Sequence, residues 1–149
     1  GKLRREERLS KEEGKGVVKE VYMIAGGTGI APMLQYIKSQ TAGRGGANVR
    51  LLYANHTLGD ILFKKELDTL AEAPNVHVTY VVSEVGSEEG VALPSDVVKG
   101  RIDSEMVDEN FSTENMDTKI VFLCGPPRMN EAIGKILRKR FPTNTFIFS

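Results

Sequence analysis

The stretch that decides the fold is Val21-Tyr22-Met23-Ile24-Ala25-Gly26-Gly27-Thr28-Gly29-Ile30-Ala31-Pro32. Its first five residues form an unbroken apolar run that stops at glycines, which is typical of a parallel strand buried on both faces. Pro32 fits the first turn of a helix, where its missing N–H costs no hydrogen bond. The stretch therefore predicts a strand, a glycine loop and a helix in direct succession.

The same order of elements recurs along the chain, although no sequence repeat accompanies it. Further strands are predicted over 49–54, 76–82, 120–124 and 145–148, and helices over 61–73, over 103–110 and after 127. Asp60 is a candidate cap for the helix over 61–73, and the polar residues 83–100 are predicted to be mostly loop. Alternating strands and helices imply parallel strands joined by right-handed crossovers. We therefore expect an α/β fold, a doubly wound, five-stranded and mainly parallel sheet with helices on both faces.

Composition narrows the possible functions. The 149 residues carry 20 basic and 20 acidic side chains, so the net charge is zero and gives no basic surface for nucleic acid. One cysteine excludes an intrachain disulfide, and two histidines are too few for a Cys/His zinc cluster. These features are typical of a cytoplasmic protein that binds neither nucleic acid nor structural metal.

The ends and the hydropathy of the chain set its expected organisation. Of the first 20 residues 12 are charged, so residues 1–19 are interpreted as a linker and 20–149 as the folded domain. The uncharged stretch 21–37 is too short, and too interrupted by glycine and proline, to cross a bilayer. No membrane segment is expected within the chain.

Two loops are candidates for binding a ligand. Residues 26–32 follow the first predicted strand, and Cys124-Gly125-Pro126-Pro127-Arg128-Met129 follows the fourth. Both lead into helices, whose free N–H groups and dipoles favour an anion such as pyrophosphate. From spacing alone, a phosphate-bearing ligand and a purely structural pair of turns fit equally well.

Several common nucleotide-binding patterns are missing. Pro32 stands where the third glycine of G-x-G-x-x-G belongs, and Ala54-Asn55-His56 ends the second strand without an acid for a ribose hydroxyl. There is also no G-x-x-x-x-G-K-[ST] stretch. Ordinary Rossmann dehydrogenases and P-loop NTPases are therefore disfavoured.

Four blocks of sequence nevertheless stand in a familiar order, over 24–33, 52–57, 60–62 with 66–67, and 124–127. Together they resemble the nicotinamide-binding lobe of the ferredoxin-NADP reductase superfamily, and within it the cytochrome b5 reductase and nitrate reductase type. The resemblance covers residues 17–148. Ala31 departs from the pattern, because the nearest relatives usually have threonine there, and Ser149 extends past the family's terminal aromatic residue.

The resemblance implies a flavin-dependent oxidoreductase. This chain would be the C-terminal lobe that binds NADH and presents the nicotinamide to FAD, which is held mainly by a flavin-binding lobe of the same polypeptide. Electrons would then pass singly to cytochrome b5 or a similar haem protein. The expected location is the cytoplasm, and the cytoplasmic face of a membrane is the alternative if an anchor precedes this chain. The alternative is a nucleotide-binding regulatory or interaction domain without turnover.

The resemblance also implies site residues. Cys124 would orient the nicotinamide, and Thr28 would place its hydroxyl at the junction of flavin and nicotinamide, so both are predicted as catalytic. The predicted cofactor-binding residues are Gly26, Gly27, Thr28, Gly29, Pro32, Asn55, Ser83, Glu84, Cys124, Gly125, Pro126, Pro127, Met129 and Phe148.

Structural explanations remain open for several of these residues. Thr28 can instead cap the following helix, Gly27 and Gly29 can serve a turn with positive φ, and Cys124 can be an inert buried thiol. Met129 and Phe148 also suit the core. The basic cluster around Lys135 to Arg140 is interpreted as a solvated helix face rather than a docking site for an acidic acceptor.

The end of the third predicted strand bears on the choice of dinucleotide. Ser83-Glu84-Val85-Gly86-Ser87-Glu88-Glu89 carries three acids, and no basic residue follows until Lys99. In this family the adenosine end of the dinucleotide falls there, and carboxylates repel a 2′-phosphate. The stretch predicts NADH rather than NADPH as the preferred dinucleotide, with Ser83 and Arg101 as the residues able to oppose that preference.

Overall fold

A computed structural model describes residues 3, 17–42, 46–84 and 92–148, and a parallel sheet of six strands organises them. The strands are β1 Glu20–Gly26, β2 Asn48–Asn55, β3 Val76–Val82, β4 Val97–Lys99, β5 Lys119–Cys124 and β6 Thr145–Phe148. The helices of the described residues from 17 onward are α1 Ile30–Ala42, α2 Lys64–Leu70, α3 Ser104–Asn110 and α4 Pro127–Arg140. The predicted α/β class and the parallel sheet are confirmed.

The order of strands across the sheet is β4-β3-β2-β1-β5-β6, and every neighbouring pair is parallel. The chain runs outward from β1 through β2 and β3 to β4, and then returns to the other side of β1 as β5. The order therefore reverses between β1 and β5. In doubly wound sheets, ligands bind beyond the carboxyl ends of the strands at this switch point.

The prediction of five strands was wrong by one. The additional strand, β4, has three residues and pairs with β3 from Tyr80 to Val82 at the edge of the sheet. It lies inside the polar residues 83–100, and three residues are too few to show an alternating pattern. Its pairing depends on contact with β3, which the local sequence does not reveal.

The second predicted helix is shorter than expected. Instead of covering 61–73, α2 starts at Lys64, because Phe63 adopts a left-handed conformation with φ of 57°. Asp60 does not cap α2 as predicted. Its carboxylate accepts hydrogen bonds from the backbone N–H (3.1 Å) and the hydroxyl (2.8 Å) of Thr57, which close the turn after β2. The third predicted helix is confirmed as α3, with Asp103 accepting from the N–H of Met106.

Each face of the sheet carries a hydrophobic core. On one face α1 and α2 pack over Met23, Leu51 and Phe122, and on the other α3 and α4 pack over Ile24 and Leu123. Leu3 is 3% exposed and belongs to the first core, so the amino-terminal region contributes at least one side chain to it. The rest of the predicted linker up to residue 16 lies outside the described residues. Within the described parts of the chain, no helix combines the length and apolarity needed to cross a bilayer.

Candidate functional site

The two glycine loops meet at the switch point. After β1, residues Gly27–Gly29 form one turn of 3₁₀ helix that leads directly into α1, and after β5 the chain passes through Gly125 and Pro126 into α4. Strands β1 and β5 are neighbours, with Ala25 paired to Cys124. The loops predicted to bind a ligand are therefore adjacent. The amino termini of α1 and α4 both face the side of the sheet where the strands end, which we call the carboxyl edge.

Close packing around the two loops involves three of their glycines. A Cβ added to Gly29 would collide with the backbone carbonyl of Cys124 and lie 3.2 Å from its Sγ. A Cβ on Gly125 would lie 2.8 Å from the Sδ of Met129, and one on Gly26 would meet the same sulfur. A side chain at Gly29 would have to displace the backbone of Cys124, whereas one at Gly26 or Gly125 would displace the end of the Met129 side chain. The loops therefore close on each other, and Met129 lies across both.

Gly27 differs from the other loop glycines. Its φ is 54°, and a Cβ there would find no atom within 4 Å. Conformation alone thus demands glycine, because L residues adopt positive φ at a cost. The open space leaves the backbone at this point accessible to a ligand.

A buried tyrosine, Tyr53, stabilises the turn at Gly27, and the sequence patterns did not predict this role. Tyr53 of β2 is fully buried; its hydroxyl donates to the carbonyl of Gly27 (2.9 Å) and accepts from the N–H of Leu62 (3.3 Å). The signal was available, because a tyrosine in a buried apolar strand needs a partner for its hydroxyl.

A cleft of about 630 Å³ extends along the carboxyl edge from the glycine loops to the end of β3. Among the predicted residues, it is lined by Gly26, Gly27, Asn55, Ser83, Pro126 and Met129. His56, Asp60, Gly100, Arg101 and Arg128 add a polar rim, and Ala54, Val81, Ile102, Ala132 and Ile133 add apolar wall. The volume lies within the usual range for small-molecule and cofactor sites.

The remaining predicted residues lie beside the cleft. Gly29, Cys124 and Gly125 form the contact between the loops, and Pro127 begins α4. Phe148, 7% exposed, pairs with Cys124 across β5 and β6. Thr28 and Pro32 are exposed at the start of α1.

The far end of the cleft contains a short polar chain. The imidazole of His56 lies between the hydroxyl of Ser83 (Nδ1 to Oγ, 3.0 Å) and the carboxylate of Glu84 (Nε2 to Oε2, 3.4 Å). Glu84 itself is not among the lining residues, and its side chain is 66% exposed. Residues 85–89, the rest of the acidic stretch, lie outside the described residues.

Charges in the cleft favour an anion. Arg101 and Arg128 both line it, and neither forms an ion pair within the described residues. Asp60 is the acid among the lining residues, and it is occupied by Thr57. Arg128 stands in the first turn of α4, where the helix dipole also favours negative charge.

Asn55 presents an unused hydrogen-bond donor. Its side-chain nitrogen Nδ2 is buried and makes no hydrogen bond to any of the described residues, although the residue lines the cleft. Buried polar atoms are almost always paired, so an exception calls for an explanation. A ligand oxygen in the cleft is a suitable partner.

Comparison with known proteins gives a consistent result. The oxidoreductase NAD-binding domain family matches residues 23–135. NADH-cytochrome b5 reductase 1 of Dictyostelium discoideum is 39% identical over 120 residues, covering 77% of this chain and 38% of that protein. NADH-cytochrome b5 reductase 1 of Ajellomyces capsulatus is 41% identical over 128 residues, covering 80% of this chain and 38% of that protein.

Solved structures agree with the sequence comparison. The cytochrome b5 reductase domain of Ulva prolifera nitrate reductase superposes with a TM-score of 0.73 and 33% identity, covering 88% of this chain and 49% of that one. The chain thus spans about two fifths of the length of these curated relatives and about half of this solved domain.

Proposed function

Because the chain belongs to the oxidoreductase NAD-binding domain family, we propose that it is the dinucleotide-binding lobe of a flavoprotein reductase of the cytochrome b5 reductase type. The dinucleotide lies along the carboxyl edge of the sheet. Its nicotinamide end is at the two glycine loops, and its adenosine end is near Ser83. The cleft between these points carries the proposal.

The residues of the cleft fit such a ligand. The unpaired amide nitrogen of Asn55 supplies a donor for a ligand oxygen. Arg128 and the first turn of α4 supply positive charge for the pyrophosphate. Gly27 leaves its backbone open, so a flat or charged group can approach it without meeting a Cβ.

The nicotinamide end involves Thr28, Cys124 and Phe148. When bound, NADH supplies a hydride and FAD is the group that receives it. The role of these three residues is to fix geometry: Thr28 offers an exposed hydroxyl, while Cys124 and Phe148 form a buried wall beside the loops. We propose no nucleophilic role for Cys124. The two histidines, His56 after β2 and His77 in β3, belong to other strands than β5 and are not positioned as a base for this thiol.

NADH is the proposed donor, as it is in the names of the relatives. Glu84 lies one residue beyond Ser83, and its carboxylate disfavours a 2′-phosphate at the adenosine end. Ser83 and Arg101 line the cleft and act in the opposite direction, so the preference depends on the balance among these side chains.

The complete activity needs more than this chain. FAD is held mainly by a flavin-binding lobe of the same polypeptide, and the proposed acceptor is cytochrome b5 or a similar haem protein. The likeness to NADH-cytochrome b5 reductases supports this proposal, and this chain covers about two fifths of their length.

Titration of the 149-residue chain with NADH and NAD⁺ by calorimetry tests the proposal. We expect one dinucleotide per chain, no retained flavin and no reductase activity. Failure to bind either dinucleotide, or purification with one equivalent of flavin, would contradict it.

A second experiment tests the catalytic part in the complete flavin-containing protein. The variant Cys124→Ser changes little in size, so we expect slower flavin reduction in stopped-flow at saturating NADH, with a nearly unchanged Tm. An unchanged rate would return Cys124 to a structural role. If the dinucleotide binds and the complete protein shows no turnover, the chain is a non-catalytic nucleotide-binding domain.

A further inference from the structure

Asn130 lies in the first turns of α4, directly behind the loop that carries Cys124 and Gly125. Its backbone N–H donates to the carbonyl of Pro126 (2.9 Å), as expected at the start of a helix. Its side chain does something different. The amide nitrogen Nδ2 donates to the backbone carbonyl of Phe148 (3.1 Å), 18 residues away at the end of β6.

The other half of the same amide is unsatisfied. Oδ1 of Asn130 is buried and accepts no hydrogen bond from the described residues. It lies 3.5 Å from the point where a Cβ on Gly125 would be. The orientation of the amide is fixed, because a carbonyl oxygen such as that of Phe148 only accepts and must therefore face the nitrogen.

This arrangement is unfavourable for stability alone. Burying an acceptor without a partner costs more than a single neutral hydrogen bond returns, and an apolar side chain of the same size avoids that cost. The side chain is thus better explained by what its one bond holds in place.

That bond holds Phe148 beside Cys124. The two residues are paired across β5 and β6, and both belong to the same face of the sheet. Among the described residues, β6 is a four-residue edge strand whose one neighbouring strand is β5. The ring of Phe148 also packs on Phe122 at 5.9 Å between centroids.

We infer that Asn130 is a positioning residue: its side-chain amide fastens the end of β6 and thereby sets the place of Phe148 against Cys124. The inference rests on the proposed function for its kinetic consequence, because Phe148 and Cys124 form the wall of the nicotinamide end. The structural half of the inference is independent of any ligand.

The single cysteine of the chain gives a direct readout. Cys124 is 8% exposed, so a thiol reagent reaches it mainly when the structure opens locally. In Asn130→Leu we expect labelling of Cys124 under native conditions to be faster by about fivefold, the factor that one net hydrogen bond contributes to an opening equilibrium. The free energy of unfolding should fall less than in Asn75→Leu, because the lost donor to the Phe148 carbonyl is offset by the removal of the unpaired acceptor Oδ1.

Asn75→Leu is the matched control. The Nδ2 of Asn75 also donates to one backbone carbonyl, that of Ala47, at 3.0 Å. This bond lies where β2 and β3 begin, at the opposite end of the strands from Cys124. This variant should lose stability and leave native-state labelling unchanged. Equal labelling in wild type and Asn130→Leu would overturn the inference, as would equal acceleration in both variants.

Asn130→Asp tests the same contact without an apolar replacement. It keeps the size and places a carboxylate oxygen against the carbonyl of Phe148, so labelling should accelerate again. If neither variant folds, Asn130 is structural and the inference fails.

In the complete protein, Asn130→Leu should lower the rate of flavin reduction at saturating NADH about fivefold, with unchanged dinucleotide affinity. An unchanged rate overturns the positioning role. If the wild-type chain does not bind a dinucleotide, the proposed function fails instead. The two failures are therefore distinguishable.

Discussion

Buried polar groups are hydrogen-bonded at one edge of the sheet and partly unpaired at the other. At the amino edge, where the strands begin, the ammonium of Lys119 donates to the carbonyl of Ser112 (2.9 Å) and the hydroxyl of Tyr22 (3.2 Å), and lies 3.4 Å from a carboxylate oxygen of Glu20. Asn144 likewise donates to two carbonyls, those of Met116 and Lys119. These groups are saturated.

The carboxyl edge leaves polar groups unsatisfied. Within the described residues, the buried side-chain atoms without a partner are Nδ2 of Asn55 and Oδ1 of Asn130, and both lie at this edge. Unpaired buried groups cost stability, so they persist where another demand outweighs that cost. This difference agrees with our proposals that Asn55 serves a ligand and that Asn130 serves to position Phe148, whereas the polar groups at the amino edge serve the fold.

Removing Lys119 from the amino edge should have the largest effect. Its side chain is 5% exposed. Lys119→Met removes the donor to the Ser112 carbonyl and leaves the Glu20 carboxylate with the Tyr22 hydroxyl but without the neighbouring positive charge. We expect a loss of roughly 2–3 kcal/mol in urea unfolding, near the low end for a broken buried pair because Glu20 keeps some solvent contact. Dinucleotide affinity should not change. A clear loss of affinity would show that the two edges are not independent.

Asn55→Leu should have the opposite effects, lowering dinucleotide affinity while leaving stability intact. It removes a donor that the protein itself does not use, so stability should be unchanged or slightly higher, while affinity for NADH should fall about tenfold through loss of a hydrogen bond to a charged or polar ligand group. Calorimetric titration and urea unfolding measure the two quantities. Asn75→Leu serves as control, with lower stability and unchanged affinity. If Asn55→Leu and Asn75→Leu change stability and NADH affinity in the same way, the two edges do not differ in function.

The sequence predicts the scaffold because its signals are local. Continuous apolar runs such as Val21 to Ala25 mark central strands covered on both faces, and glycines mark the loops that follow them. β4 escapes prediction because its three residues acquire their conformation only by pairing with β3. The start of α2 escapes because Phe63 takes a left-handed conformation that its residue type disfavours.

The site is only partly predictable for a different reason. The loop residues could be recognised by motif, and six of the predicted cofactor-binding residues line the cleft. The contact of Gly29 with Cys124, the support of Gly27 by Tyr53 and the tether of Asn130 join residues distant in sequence. Whether a buried amide is paired depends on tertiary packing, so Asn55 and Asn130 become informative only in the folded chain.

Charge reversal at the adenosine end sharpens the assignment of the carboxyl edge. Wild-type complete enzyme should prefer NADH over NADPH in kcat/KM by at least about tenfold, and Glu84→Arg should reduce that ratio by about tenfold, because 1.4 kcal/mol is one decade. Glu72→Arg is the control, since it makes the same charge change at an exposed position before β3. Equal use of both dinucleotides by wild type, or an equal shift in the control, would remove Glu84 from the site.

The smallest expected effect concerns acid stability at the amino edge. The hydroxyl of Tyr22 donates to Glu20 at 2.5 Å and holds the pKa of that carboxyl below its ordinary value, with Lys119 acting in the same direction and burial opposing both. A carboxyl whose pKa is lowered in the folded state contributes stability at pH values above its unfolded pKa of about 4.3. That contribution is lost as the pH falls through the folded pKa.

Glu20→Gln cannot titrate, so the stability difference between wild type and this variant should shrink as the pH falls from about 6 to about 3. The Glu20 side chain is 35% exposed, so solvent screening limits the change to less than about 1 kcal/mol. Urea unfolding at several pH values measures it. In a Tyr22→Phe background, which keeps the ring stacked on Phe111 and removes the donor, the pH-dependent difference should become smaller. If it stays the same, the hydroxyl of Tyr22 is not what lowers the pKa of Glu20, and the positive charges of Lys119 and Arg50 lower it instead.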